Sequence, residues 1–137
     1  MPERVVFDAE PLIAHADGES GSEAVSAYLE DVAAQEAEGH VSAVNLAEVR
    51  YVLARKYERA VADEYVDWLF DLGLRPADAG PTWRQAADYV VEYNPALGDA
   101  FALATAAHLE ATLLVGADAE YAGVTDVPIE RFRQGSE

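Results

Sequence analysis

Short apolar runs of β type recur along this chain, separated by stretches long enough to be helices, and that alternation limits the possible folds more than any other feature. Arg4 to Phe7 reads as a short buried strand, His40 to Val44 as a second and Leu74 to Ala77 as a third. "ATLLVGAD" at 111–118 holds the clearest strand, and a last short one is expected near Val127 to Ile129. Between them, Glu10-Pro11 opens a helix, because proline is tolerated in a first turn. Residues 20–38 carry Val25, Tyr28, Leu29 and Val32 at helical spacing, with Gly39 as the expected stop. Further helices are expected over Asn45 to Tyr57, Val61 to Leu72, Thr82 to Tyr93 and Asp99 to Leu109. Strands joined through helices run parallel with helices on both faces. The pattern therefore predicts a three-layer α/β/α sandwich with a parallel sheet of four to five strands. No linker or repeat divides the chain, so residues 1–137 are read as a single domain.

Composition removes several classes of chemistry. There is no cysteine, hence no disulfide framework, thiolate metal site or cysteine nucleophile. No apolar stretch approaches the ~20 residues that span a bilayer, and the start, MPER, lacks a secretory hydrophobic segment. A soluble, cytoplasmic protein with no membrane association is expected. The 26 acids outnumber the 9 Lys plus Arg for a net charge of −17, with Lys56 the only lysine. Taken alone, that charge argues against a polyanionic partner. The acids are spread through every segment, however, and distributed acid with almost no lysine resembles the proteins of salt-loving microbes. In molar salt the Debye length is only ~3 Å, so net charge says little about partners.

In parallel α/β folds ligands bind beyond the carboxyl ends of the strands. Asp8 ends the first strand and Asp118 the "TLLVGA" strand. Glu48 is expected on the first turn of the helix after the second strand, and Asp99 opens the helix after "NPALG". If the first and "TLLVGA" strands are neighbours, these carboxylates converge on one cleft. Clustered carboxylates repel and raise one another's pKa unless a cation neutralises them. An all-oxygen site suits Mg²⁺ or Mn²⁺, and one or two such ions can activate water and stabilise an in-line phosphoryl displacement. Taken singly, Glu48 or Asp99 is better explained as a helix N-terminal charge; what favours a site is their apolar company, with Asp99 heading the buried "AFALATAAHL" helix and Asp8 and Asp118 ending buried strands.

"VVFDAEPLIAH", "VSAVNLAEVRYVLARKY", "LGDAFALATA" and "LLVGADAEY" together resemble PIN-domain ribonucleases and, among them, the VapC-like toxins of toxin-antitoxin systems. The similarity covers nearly the whole chain, in the family's order. It implies a parallel-sheet α/β/α sandwich, an acidic site for Mg²⁺ or Mn²⁺, and cleavage of RNA by a metal-activated water. Asp8, Glu48, Asp99 and Asp118 take the places of the family's metal-binding acids. Asn45 matches a polar position that helps hold the site, with Ser42 beside it in the same motif. A homodimer and an antitoxin protein are the partners implied.

Two departures stand out. Glu10 lies where many members have Ser, Thr or Asn; it either joins the metal shell or is a helix-start charge. Gly116 lies where a hydroxyl residue is common, and its absence could weaken the metal. Arg55 and Arg59 fall within ~20° of Glu48 on a helical wheel. With Lys56 they are the densest basic stretch, read either as an RNA phosphate rail or as ion-pair partners. His15, His40 and His108 have no metal-ligand spacing. A haloacid-dehalogenase-like phosphatase or a receiver domain would need a late lysine, which is absent. The remaining alternative is a catalytically weak PIN-like module that binds RNA or protein.

Overall fold

The computed structural model describes residues 3–117, 121 and 123–133. Five strands, β1 (Glu3–Phe7), β2 (Ala37–Ser42), β3 (Arg75–Ala77), β4 (Thr112–Val115) and β5 (Ile129–Arg131), form one sheet in the order β3-β2-β1-β4-β5. All four pairings are parallel. The six helices are α1 (Ala9–Asp17), α2 (Ser22–Ala33), α3 (Ala43–Lys56), α4 (Arg59–Leu72), α5 (Trp83–Tyr93) and α6 (Leu97–Leu109).

Strand alternation sorts the side chains into two cores. Val5, Phe7 and Leu114 face a core completed by Leu12 of α1, Leu29 of α2, Leu53 of α3 and Leu69 of α4. Val6, Leu113 and Val115 face the other, against Ala86 and Tyr89 of α5 and Ala100 and Leu103 of α6. A parallel sheet must be covered on both faces, and here it is. The α/β/α sandwich expected from the alternation is the fold observed.

The boundaries differ in instructive ways. Gly39 does not stop α2 but lies inside β2. The helix ends at Ala33, and Gln35, at φ 62°, turns the chain into the strand. A Cβ at position 39 would stand 2.7 Å from a Val32 methyl and 3.0 Å from Leu74, so glycine is there to let β2 approach its covering layer. Strand β2 stops at Ser42, not Val44, because the Ser42 hydroxyl accepts from the Asn45 N–H and starts α3 two residues earlier than expected. Helix α6 likewise begins at Leu97, which places Asp99 within its first turn rather than at its head.

The distributed negative charge makes one prediction. Self-repulsion at −17 opposes the compact state, so the thermal midpoint should rise steadily from about 0.1 M to about 1 M KCl, as the Debye length falls from ~10 to ~3 Å. Calorimetry across that range checks it; a midpoint indifferent to KCl contradicts the role assigned to the charge.

Candidate active site

The acids sit where the sheet's carboxyl edge meets the helix starts. β1 and β4 are adjacent, with Phe7 paired to Leu114, so Asp8 emerges from the middle of the sheet. Asp8 also caps α1: its Oδ1 accepts from the Ala9 N–H at 2.8 Å. The carboxylate is 4 % exposed and forms the floor of a cleft of about 510 Å³, whose walls include Glu10, Glu19, Glu48, Tyr51, Gly98 and Asp99.

Two connections bring the partners in, β2 to α3 and α5 to α6. Ser42 ends β2, and Asn45, one turn into α3, is fully buried. The Asn45 amide donates to Asp8 Oδ1 at 3.3 Å and to the Gly98 carbonyl at 3.0 Å, while its Oδ1 accepts from the Ser42 hydroxyl at 2.5 Å. Asn45 therefore ties β1, α3 and the start of α6 together. One further turn along α3 lies Glu48, in the second turn rather than the first, so the helix-start explanation does not apply to it. A Cβ on Gly98 would lie 2.9 Å from Glu48 Oε1, so the bare glycine is what lets α6 close onto that carboxylate. Asn94, at φ 56°, ends α5, and the short turn through Pro95 leads into α6 with Asp99 facing the cleft.

Asp8 has a second set of partners. The Tyr121 hydroxyl donates to Asp8 Oδ2, and the Asp99 carboxyl is hydrogen-bonded to both Asp8 and Tyr121. Burial raises the pKa of Asp8, against the lowering effect of the bonds from Tyr121, Ala9 and Asp99; Glu10 adds a further upward push. Burial also raises Glu48, and the charge of Asp8 adds to it. Tyr121 is held far above the ordinary phenol range by burial and the two facing acids. A cation held between these acids would oppose the upward shifts. Tyr121 was not foreseen from the sequence; its only signal is its place three residues beyond Asp118 in "ADAEY".

The two departures from the family pattern prove to be one arrangement. A Cβ on Gly116 would fall 1.8 Å from Glu10 Oε2, so the Glu10 carboxylate occupies the space that a side chain at 116 would fill. Arg133 fixes it there, donating to Glu10 at 3.0 Å and to Glu19 at 3.1 Å, and Arg131 donates to the Gly116 carbonyl at 2.8 Å. Glu10 thus lines the cleft while sharing Arg133 with Glu19. Gly116→Ser should displace Glu10 and break that partly exposed pair, costing about 0.5–1 kcal/mol. Glu10→Ser should remove the penalty. A double-mutant cycle measured by urea unfolding checks this, and additive effects would contradict the steric coupling.

Of the other predicted site residues, Asp118 lies outside the described residues. Arg55 and Arg59 line a groove next to the cleft, sharing Tyr51 as a wall. Lys56 is paired with Asp17 at 2.8 Å. His15 stacks on Trp68 and bonds to the Tyr65 hydroxyl, away from the acids, and His40 pairs with Glu38. Among the described residues no three His, Asp or Glu side chains already form a metal-holding cluster. The donor chemistry of the Asp8–Asp99 pair with Glu48 beside it nevertheless fits Mg²⁺ or Mn²⁺, since Mg²⁺ is commonly held by one or two carboxylates and keeps several waters. None of the helices among the described residues is long and apolar enough to cross a membrane.

Comparison with known proteins agrees with this geometry. A toxin-antitoxin complex from Klebsiella pneumoniae contains a chain of the same fold, at TM-score 0.73 and 21 % identity over 95 % of this chain and 98 % of that one. VapBC2 from Rickettsia felis, bound to a DNA fragment from its promoter, superposes at TM-score 0.71 and 14 % identity over 93 % and 98 %. The sarcin-ricin loop cleaving toxin VapC20 of Mycobacterium tuberculosis does so at 0.67 and 15 % over 90 % and 98 %. No curated protein sequence matches significantly. The PIN domain family profile matches residues 5–126, which take in the strand-end aspartate, the Ser42-Asn45-Glu48 helix and Asp99. The chain belongs to the PIN domain family.

Proposed function

We propose that the protein is a metal-dependent endoribonuclease and the toxin of a toxin-antitoxin pair. The observation that carries this reading is the meeting of Asp8, Glu48 and Asp99 in one cleft at the carboxyl edge of a PIN-family sheet. Asp8 and Asp99 would hold Mg²⁺ or Mn²⁺, with Glu48 as the third acid and Asp118 by resemblance the fourth. The cation would supply Lewis-acid stabilisation of phosphate charge and acidify the attacking water. The chain's own part is positional. Asn45 holds Asp8 Oδ1 in one orientation, Ser42 fixes the Asn45 amide, and Gly98 leaves room for Glu48. Attack of water at phosphorus with departure of O3′ leaves a 5′-phosphate and a 3′-hydroxyl.

The antitoxin expectation draws support from the structural neighbour described as a toxin-antitoxin complex from Klebsiella pneumoniae. A homodimer would cover Trp83, Val91 and Leu97, which stand exposed on α5 and α6 at 50 %, 87 % and 61 %. The alternative is a catalytically weak PIN-like module that binds RNA or protein, for which the groove lined by Arg55 and Arg59 beside the cleft would suffice.

Incubation with several RNAs in Mn²⁺, Mg²⁺ or EDTA separates the two. The nuclease reading expects cleavage in Mn²⁺ or Mg²⁺, 5′-phosphate products and none in EDTA. Cleavage that survives EDTA, or cyclic-phosphate ends, contradicts it; RNA binding without any cleavage supports the module.

A further inference from the structure

Tyr51 is the one aromatic side chain among the described residues lining the acidic cleft, and it is 48 % exposed. It lies on α3 three residues beyond Glu48, hence on the adjoining helix surface. It also lines the neighbouring groove, together with Arg50, Arg55 and Arg59. Tyr51 is therefore the common wall between an acidic floor and a basic approach. The Arg55 guanidinium sits over its ring, 5.0 Å from the centroid.

The cations around that groove divide into two sets. Arg50 is engaged by Asp63 at 2.7 Å and Lys56 by Asp17 at 2.8 Å. Arg55 and Arg59 form no ion pair among the described residues, which leaves their charge for a ligand in the groove. Tyr57 also lines that groove, beside Glu58, but it does not reach the acidic cleft and its hydroxyl is engaged by Asp17, whereas Trp68 stacks on His15 away from both.

An RNA strand entering the cleft must bring its phosphates past a strongly acidic surface, so it needs cations beside the acids. It also needs a surface that holds the base next to the reacting phosphate. An exposed phenol ring backed by a guanidinium supplies such a surface, because any nucleobase can stack on it. Bases within a duplex have both faces covered by their neighbours, whereas unpaired bases can be splayed onto a protein ring.

We propose that Tyr51, with Arg55 over its ring, is a base-stacking platform beside the acidic cleft, and that Arg55 and Arg59 hold the phosphates adjacent to the stacked base. This rests on the nuclease reading for its orientation toward Asp8 and Asp99. Stacking fixes the strand's position without reading its sequence.

The test measures fluorescence anisotropy of a labelled unstructured RNA, the same RNA carrying abasic sites, and an RNA duplex. The protein is Asp8→Asn in Mg²⁺, alone and combined with Tyr51→Ala or Tyr51→Trp, and cleavage is followed in parallel with Asp8 intact. Tyr51→Ala should weaken unstructured RNA about tenfold, equivalent to about 1.4 kcal/mol, and leave abasic RNA and duplex unchanged. Tyr51→Trp should retain tight binding, and Arg59→Ala should lower the salt dependence by about one phosphate contact. Equal binding by Tyr51→Ala, an equal loss on all three RNAs, or tight duplex binding overturns the platform. Cleavage by the wild type that is indifferent to Tyr51 overturns the platform alone. Tyr51-dependent binding with no cleavage overturns the nuclease reading and leaves the platform standing.

Discussion

Asp8→Asn is expected to lower RNA cleavage by about 10³-fold, the scale on which loss of a group that stabilises the reacting charge is felt, while the folded protein becomes more stable at neutral pH. The asparagine oxygen can keep the bonds from the Ala9 N–H and the Asn45 amide, and its NH₂ replaces the oxygen that faces Tyr121 and Asp99. What disappears is a buried charge. The sign follows from the raised pKa: between the ordinary aspartate value of 3.8 and the higher folded value, the native state binds more protons than the unfolded chain. Stability contributed by Asp8 is therefore present at low pH and is lost as pH rises through that window. Without divalent metal, the Asn variant should exceed the wild type in urea stability at about pH 7.5, with the gap closing toward pH 4. The exposed acid pairs with lowered pKa, such as Asp63 with Arg50, titrate alike in both proteins and cancel. Undiminished cleavage by the variant sinks the assignment of Asp8, and a stability gap that grows on acidification sinks the electrostatic account.

The second large effect belongs to Asn45. Its side chain satisfies Asp8, the Gly98 carbonyl and the Ser42 hydroxyl at once, and it is wholly buried. Alanine would leave those groups facing a small void. With about 1–3 kcal/mol for each buried group left unsatisfied, a total cost near 3 kcal/mol is expected. Mn²⁺ affinity should fall about 10- to 100-fold as the orientation of Asp8 loosens. Asn45→Asp should be worse at neutral pH than at pH 5, because it removes both donors and sets a new carboxylate against Asp8. Urea unfolding of the two variants measures this; an alanine cost under about 0.5 kcal/mol would show that the site is not assembled through Asn45.

The fold was legible because strand and helix periods alternate cleanly and because parallel strands need covered faces. Asp8, Glu48 and Asp99 are legible from their position relative to those elements and Asn45 from the family resemblance, and the structure brings these four together. What the residue string hides is close approach. Gly39 reads as a helix stop, yet it is a glycine because Val32 and Leu74 leave no room for a Cβ. Glu10 and Gly116 read as two separate departures, although they occupy the same volume from opposite sides, 106 positions apart in the chain. Tyr121 gave no periodic signal because it belongs to neither strand nor α-helix, and its part in the site comes from a single hydroxyl. The starts of α3, α4 and α6 each fall two residues before the expected position; at α3 the Ser42 hydroxyl makes the cap, while α4 and α6 begin without a side-chain cap and so leave no capping signal to read.

Asp8, Glu48 and Asp99 would together hold a divalent cation, and calorimetric titration of Mn²⁺ in about 1 M KCl, where diffuse binding to the acidic surface is screened, tests this most directly. Saturable binding by the wild type that is lost in Asp99→Asn, with the folded circular dichroism spectrum retained, is the predicted result. Binding that is absent from the wild type, or that survives in Asp99→Asn unchanged, would contradict it.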